Sequence, residues 1–282
     1  MPADASTTKN QTKNPILLQE CYDLGMSKDN KPTRIVVKVG SSLVANTEEL
    51  TVHYAFLHGL LADIAYLSSQ GHQVILVSSG AVALGLKAMG YQPGTLSIAE
   101  KQASAACGQP QLMEAYRQLA STHGLKIAQI LLTADDILKK DRALNIVNTF
   151  NRLFEASIVP IVNENDTVAV EELQVGDNDK LSASLAALMD ADELILLTNT
   201  EGLWDGPPGK DGSSLITEIS NPKGFLHLTD GKSTLGTGGM KTKLLAADIA
   251  LSQGCLTRIG KGSLEKPISS LLFNKSKHTL VK

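Results

Sequence analysis

From Arg34 onward, short apolar runs alternate with stretches whose apolar residues recur every three or four positions. Ile35-Val36-Val37-Lys38-Val39 is β-branched, closes at Gly40 and predicts a buried strand. Val52, Phe56, Leu60, Ile64 and Leu67 follow at helical spacing and stop at Gly71, a residue suited to a left-handed helix end. Val74-Ile75-Leu76-Val77 repeats the strand signature and leads through Ser78-Ser79-Gly80-Ala81 into another helix. Residues 127–132, 158–162 and 194–197 read as three more strands, preceded by helical stretches at 111–121, 141–156 and 181–189. Strand and helix in alternation predict an α/β fold, a mostly parallel sheet covered on both faces. Residues 199–230, rich in Gly, Pro, Asp and Ser, break the rhythm and predict a set of turns or an Ω-like excursion that could serve as a lid.

Ligands of open α/β sheets sit beyond the carboxyl ends of the strands, and the polar residues collect there. Strand one ends in Gly40-Ser41-Ser42, strand two in Ser78-Ser79-Gly80, and the strand through Val162 in Asn163-Glu164-Asn165-Asp166. A helix opens at Gly176-Asp177-Asn178-Asp179-Lys180, and the strand through Leu197 ends in Thr198-Asn199. Turn chemistry or helix capping accounts for any one of these clusters; five on one sheet edge point to a site. Lys38 lies inside a β-branched strand, where its ammonium must reach water, a carboxylate or an anion. Thr237-Gly238-Gly239-Met240-Lys241-Thr242-Lys243 runs straight into the apolar helix pattern of residues 244–250. Glycines at a helix start let an anion approach free N–H groups, and first-turn lysines oppose the helix dipole unless an anion meets them. This is a phosphate-binding arrangement.

Composition narrows the field. The chain has 282 residues, 43% hydrophobic and 20% charged, with a formal net charge of -3. No basic stripe points to nucleic acid, and no apolar run approaches the roughly 18 residues of a membrane span. Cys21, Cys107 and Cys255 are distant, odd in number and without metal-ligand spacing, as expected of reduced thiols. Residues 1–32 are polar, too weakly apolar for a signal peptide, and read as a disordered extension before one domain at 33–282.

Val36-Val37-Lys38-Val39-Gly40-Ser41-Ser42, Val77-Ser78-Ser79-Gly80-Ala81, Val162-Asn163-Glu164-Asn165-Asp166, Val175-Gly176-Asp177-Asn178-Asp179 and residues 236–243 together resemble the glutamate 5-kinases of the amino-acid kinase family. The likeness covers about residues 33–282. It implies a three-layer αβα sandwich around an eight-stranded, mainly parallel sheet. It also implies ATP-dependent phosphorylation of the side-chain carboxylate of free L-glutamate, the first step toward proline, in the cytoplasm. By motif position Ser79, Asp166 and Asn178 would hold glutamate, with Asn163 close by. Lys38, Gly40, Ser41, Thr198, Asn199 and Thr237, Gly238, Gly239, Met240, Lys241, Thr242 and Lys243 would hold ATP. L-proline would be a possible feedback inhibitor near Ser79 and Asp166, and the chain would form a homo-oligomer, a dimer or tetramer. Thr198-Asn199 departs from the usual Thr-Asp, and Lys241 stands where serine is common. The C-terminal PUA domain of many relatives is not expected, nor any regulation that depends on it.

The chemistry needs no general base, because a γ-carboxylate with an ordinary pKa of about 4.3 is already ionised at neutral pH. Charge repulsion is the obstacle, so catalysis reduces to positioning and neutralisation. Lys38 and Lys243 would clamp the phosphoryl group, and Asp179 would orient both. Mg²⁺ would be bound through the nucleotide phosphates, with no metal site of the protein's own. No arginine near the motifs suits the glutamate α-carboxylate, which leaves backbone amides, Ser79 or Asn178. Two alternatives remain: another kinase of the same fold, acting on acetylglutamate, aspartate, carbamate or a nucleoside monophosphate, and a non-catalytic glutamate or proline sensor. Against the sensor stand both lysines and Asp179.

Overall fold

A computed structural model of the protein describes residues 33–46, 48–169, 177–229 and 239–282. The extension at 1–32, Gly176, Thr237 and Gly238 lie outside the described residues. The chain enters at β1 (Arg34–Lys38), makes the one-turn helix α1 (Ser41–Val44), and passes a small ribbon, β2 (Ala45–Asn46) and β3 (Thr51–Val52). Helix α2 (Tyr54–Ser69), β4 (Gln73–Val77), α3 (Ala81–Met89), α4 (Ile98–Thr122) and β5 (Lys126–Leu132) follow. Next come α5 (Ala134–Leu138), α6 (Lys140–Glu155), β6 (Ile158–Glu164), α7 (Asp177–Leu188) and β7 (Glu193–Thr198). Strands β8 (Leu203–Trp204), β9 (Leu215–Ile216) and β10 (Glu218–Ile219) precede a 3-10 helix (Pro222–Thr229). The chain closes with α8 (Met240–Leu251), β11 (Leu256–Lys261), α9 (Pro267–Leu272) and β12 (His278–Val281).

The main sheet has eight strands in the order β10-β12-β11-β7-β1-β4-β6-β5. Every neighbouring pair is parallel except β11 with β12. Six strands therefore present their carboxyl ends at one edge. Strand alternation builds the layers: Ile35 and Val37 join a core with α2 (Leu57, Leu60, Ile64) and α4 (Leu112, Tyr116). Val36 points the other way, into a core with α6 (Phe150), α7 (Leu181, Leu185) and α8 (Ala247). The result is the expected αβα sandwich. Each fully buried aliphatic side chain contributes about 1.5–3 kcal/mol, so the neighbours of Lys38 in β1 offset the cost of burying it once it is paired.

Helix α4 is far longer than the 111–121 pattern predicts, because Gly108 and Pro110 read locally as breakers. Tertiary packing overrides them. Ser97 and Glu100 form a reciprocal capping box at its start, and Gly108 of α4 faces Gly85 of α3 backbone to backbone. A Cβ on Gly85 would overlap the Ser104 carbonyl, and one on Gly108 the Ala81 carbonyl. Alanine gains about 1 kcal/mol of helix preference over glycine, but rigid backbone cannot yield to it. Gly85→Ala should therefore lose about 2 kcal/mol net, read as a lower urea midpoint at unchanged slope.

The 199–230 stretch is not the loose excursion its composition predicts. It contributes the β8–β9 ribbon and sheet strand β10, it buries Leu203 and Ile219, and Phe225, Leu226 and Leu228 pack on the core. Strands β11 and β12 escape the periodicity reading because their buried positions include polar groups. Arg258 donates to Glu193 at 3.0 Å across β11 and β7, and Thr279 is fully buried. Among the described residues no helix is long and apolar enough to cross a membrane, and Cys107 and Cys255 are free thiols.

Candidate active site

Lys38 is the last residue of β1, and β1 runs between β4 and β7, so the lysine is central rather than at a sheet edge. Its alternation places it on the face covered by α7 and α8. Asp179 sits in the first turn of α7 and Lys243 in the first turn of α8. The three converge: Lys38 Nζ lies 2.8 Å from Asp179 Oδ1, and Lys243 Nζ 3.2 Å from Oδ2. Thr242 adds a hydroxyl, donated to Asp179 Oδ2 at 2.6 Å. Lys38 and Lys243 are each 5% exposed and Asp179 1%. Burial by itself raises a carboxyl pKa, but the charges of Lys38 and Lys243, with hydrogen bonds from Lys38 and Thr242, bring Asp179 down to about 2. Burial, then the Lys38 charge, hold the Lys243 ammonium below the usual lysine range against the opposing pull of Asp179. Two buried cations thus share one carboxylate.

Beside them lies an amide network. Gly80, at φ 110°, occupies a left-handed conformation that favours glycine, and it turns the chain from β4 into α3 just after Ser79. Asn178 Nδ2 donates to Ser79 Oγ at 2.8 Å and to Asn163 Oδ1 at 3.1 Å. Asn163 Oδ1 also accepts the Glu164 N–H at 2.9 Å, and Asn163 Nδ2 donates to Gln109 Oε1 at 2.8 Å. Ser79, Asn163 and Asn178 are therefore brought into one connected group. Asp166 stands on the rim of a neighbouring cleft of about 400 Å³ between α4 and the ends of β5 and β6. Gln109 lines the same cleft and was invisible to motif reading; its only signal would have been a helix residue facing the β6 end.

The remaining expected nucleotide residues spread around the lysine cluster. Gly40 is the N-cap of α1, and a Cβ there would lie 3.7 Å from Lys38 Nζ. Ser41 opens α1, and Ser42 accepts a 3.3 Å hydrogen bond from Asn199 Nδ2, which ties the end of β7 to that turn. Thr198 ends β7. Gly239 caps α8 and its carbonyl accepts from Thr242 at 2.8 Å, while Lys241 is exposed. Met240 is half-buried against the core under α8. Among the described residues no three His, Cys, Asp or Glu side chains form a metal-binding group.

The amino acid kinase family model matches residues 33–261. A glutamate 5-kinase of Clostridium acetobutylicum is 41% identical over 250 residues, covering 88% of this chain and 93% of that protein. The chain belongs to the glutamate 5-kinases of the amino acid kinase family. The glutamate 5-kinases of Desulfotalea psychrophila and Deinococcus radiodurans are 43% and 44% identical across 89% and 83% of this chain. The chain spans 67% and 65% of their lengths, about two thirds. This glutamate 5-kinase family member shares its fold with a UMP kinase of Ureaplasma parvum (TM-score 0.59, 14% identity, 89% of this chain and 99% of that one). It is likewise similar to a carbamate kinase of Giardia lamblia (TM-score 0.61, 16% identity, 89% and 99%).

Proposed function

We propose that the chain transfers the γ-phosphoryl group of ATP to the side-chain carboxylate of L-glutamate, giving L-glutamyl 5-phosphate and ADP, the first step toward proline. The observation that carries this reading is the pairing of two buried lysines with a single carboxylate. Burying a charge without a counter-charge is costly, so the cluster suits a polyanion that supplies the missing negative charge. A γ-phosphate is such an anion.

The glutamate carboxylate oxygen attacks the γ-phosphorus while the bond to the β,γ-bridging oxygen breaks and the electron pair leaves with ADP. No proton moves, so no histidine is required. Lys38 and Lys243 neutralise the transferring group, and Asp179 and Thr242 hold Lys243 and Lys38 in register. Ser79 and Asn178, already joined at 2.8 Å, present the acceptor carboxylate from the β4 side. Asp179 has both oxygens engaged by lysines and Thr242, so Mg²⁺ enters with the substrate as Mg·ATP rather than in a carboxylate cage. Thr198, Asn199 and the helix start at Gly239 receive the rest of the nucleotide.

The first experiment is ADP release from the purified chain with Mg·ATP and L-glutamate, N-acetylglutamate, L-aspartate or no acceptor, with hydroxylamine trapping the acyl phosphate. Glutamate-dependent turnover with a trapped hydroxamate supports the reading; turnover on another acid alone overturns the acceptor. The same site predicts a pH dependence. Phosphate binding raises the Lys243 pKa that burial and Lys38 have lowered, so binding takes up a proton as the pH rises through that lowered value. Mg·ATP affinity should therefore weaken with rising pH before pH 10.5, the ordinary lysine value, is reached. Lys243→Met, which cannot titrate, should lose this dependence.

L-proline would compete at Ser79 and Asp166, and a rate insensitive to millimolar proline would remove it as an inhibitor. The exposed Leu131, Leu138, Leu144 and Val168 around edge strand β5 support a homo-oligomer; sedimentation of a monomer at working concentration would refute it.

A further inference from the structure

We propose that Gln109 is a specificity residue for the amino-acid head of the acceptor, its side-chain N–H₂ binding the α-carboxylate. This rests on the glutamate reading above and supplies the carboxylate partner that the motifs lack. The Gln109 amide has its orientation fixed: Oε1 accepts from Asn163 Nδ2 at 2.8 Å, and Asn163 is 2% exposed with its own Oδ1 held by the Glu164 N–H. A flipped Gln109 would set two N–H₂ groups against each other. Nε2 is therefore the end that remains, and it has no protein partner among the described residues.

Gln109 lines the 400 Å³ cleft, and so does Asp166. Ala106 also lines this space, and Pro110, one turn later, lacks the N–H that would normally bond to the Ala106 carbonyl. The cleft wall thus combines an amide donor with a carboxylate and a backbone acceptor, complementary to the carboxylate and ammonium of an α-amino acid. The chain Gln109–Asn163–Asn178–Ser79 leads from this cleft to the residues beside the lysine cluster. An acceptor with its head in the cleft and its side chain along that line places its far carboxylate toward Lys38 and Lys243. A ligand without the α-carboxylate leaves the Gln109 donor without an anion.

The test compares wild type and Gln109→Glu with L-glutamate and with L-isoglutamine, which keeps the γ-carboxylate but replaces the α-carboxylate with an amide. Glutamate at position 109 can still accept from Asn163, yet it repels a carboxylate and accepts from a carboxamide. In Gln109→Glu the KM for glutamate should rise about ten- to a hundredfold, the range for losing a hydrogen bond to a charged group. Isoglutamine should lose much less, so the preference between the two narrows or inverts, with kcat, the KM for Mg·ATP and the melting temperature near wild type. Gln109→Met, which keeps the volume without either polar atom, should weaken glutamate while leaving isoglutamine little changed, and it decides the matter if the Glu variant does not fold. Equal losses on both acceptors, a fall in kcat at constant KM, or no change would overturn the assignment. Wild-type turnover on neither acceptor would instead overturn the glutamate reading, and this inference with it.

Discussion

Replacing Lys38 with alanine should lower kcat about 10²–10³-fold, the usual cost of removing one preorganised stabiliser of transition-state charge. The KM for glutamate should move little, because Ser79 and Asn178 remain joined without it. Stability should change far less than activity. With Lys38 gone, Asp179 and Lys243 form a one-to-one pair at 3.2 Å, so the deletion removes a surplus buried cation along with an ion pair. Lys38→Arg should not restore the rate, since the planar guanidinium cannot occupy the space of a compact ammonium between β4 and β7. Steady-state rates with saturating Mg·ATP decide the point, and a loss below tenfold would remove Lys38 from the reacting group.

Asp179→Asn should damage both activity and stability. It leaves two buried ammonium groups with no counter-charge and removes what holds them in register. Breaking a buried ion pair from one side costs about 3–5 kcal/mol, which for a chain of this size lowers the melting temperature by roughly 6–20 °C. Asp179 has a folded-state pKa near 2, below its ordinary 3.8, so its stabilisation is complete above 3.8 and is lost as the pH falls through about 2. The gap in melting temperature between wild type and Asp179→Asn should therefore be widest at neutral pH and close only between pH 4 and 2. Adding Mg·ATP or sulfate should recover part of the loss in the variant, because an anion supplies the charge that Asp179 provided. A gap that persists unchanged at pH 2 would assign the effect to packing rather than to charge.

Local chemistry carries far in this chain. The mainly apolar runs at 35–39, 74–77 and 194–197 lie in buried strands, since a short apolar run bounded by polar turns has no better place than a covered parallel sheet. The reading fails where a residue's role is set by a distant partner. Gly108 and Pro110 look like the break before a helix at 111–121, and packing against the facing Gly85 puts them in the middle of one. Arg258 looks like a surface charge, and Glu193 on the adjacent strand makes it core. The 199–230 composition signals turns, and Leu203, Ile219 and Phe225 nonetheless anchor that stretch to the sheet and core.

Neighbours within a few residues suffice to set the alternating α/β layout, the polar clusters at the carboxyl ends of the strands and the glycine–lysine helix start. The family resemblance assigned Lys38, Asp179 and Lys243 to one clamp, but no local pattern positions them. Only the tertiary structure brought residues 38, 179 and 243 together, by setting β1 in the middle of the sheet and the first turns of α7 and α8 over its end. It alone placed Gln109 of α4 against Asn163 of β6. Hydrogen bonds and ion pairs require contact within about 3–4 Å, and for residues 54 to 205 positions apart in the chain that contact is a property of strand order and helix packing, not of local pattern.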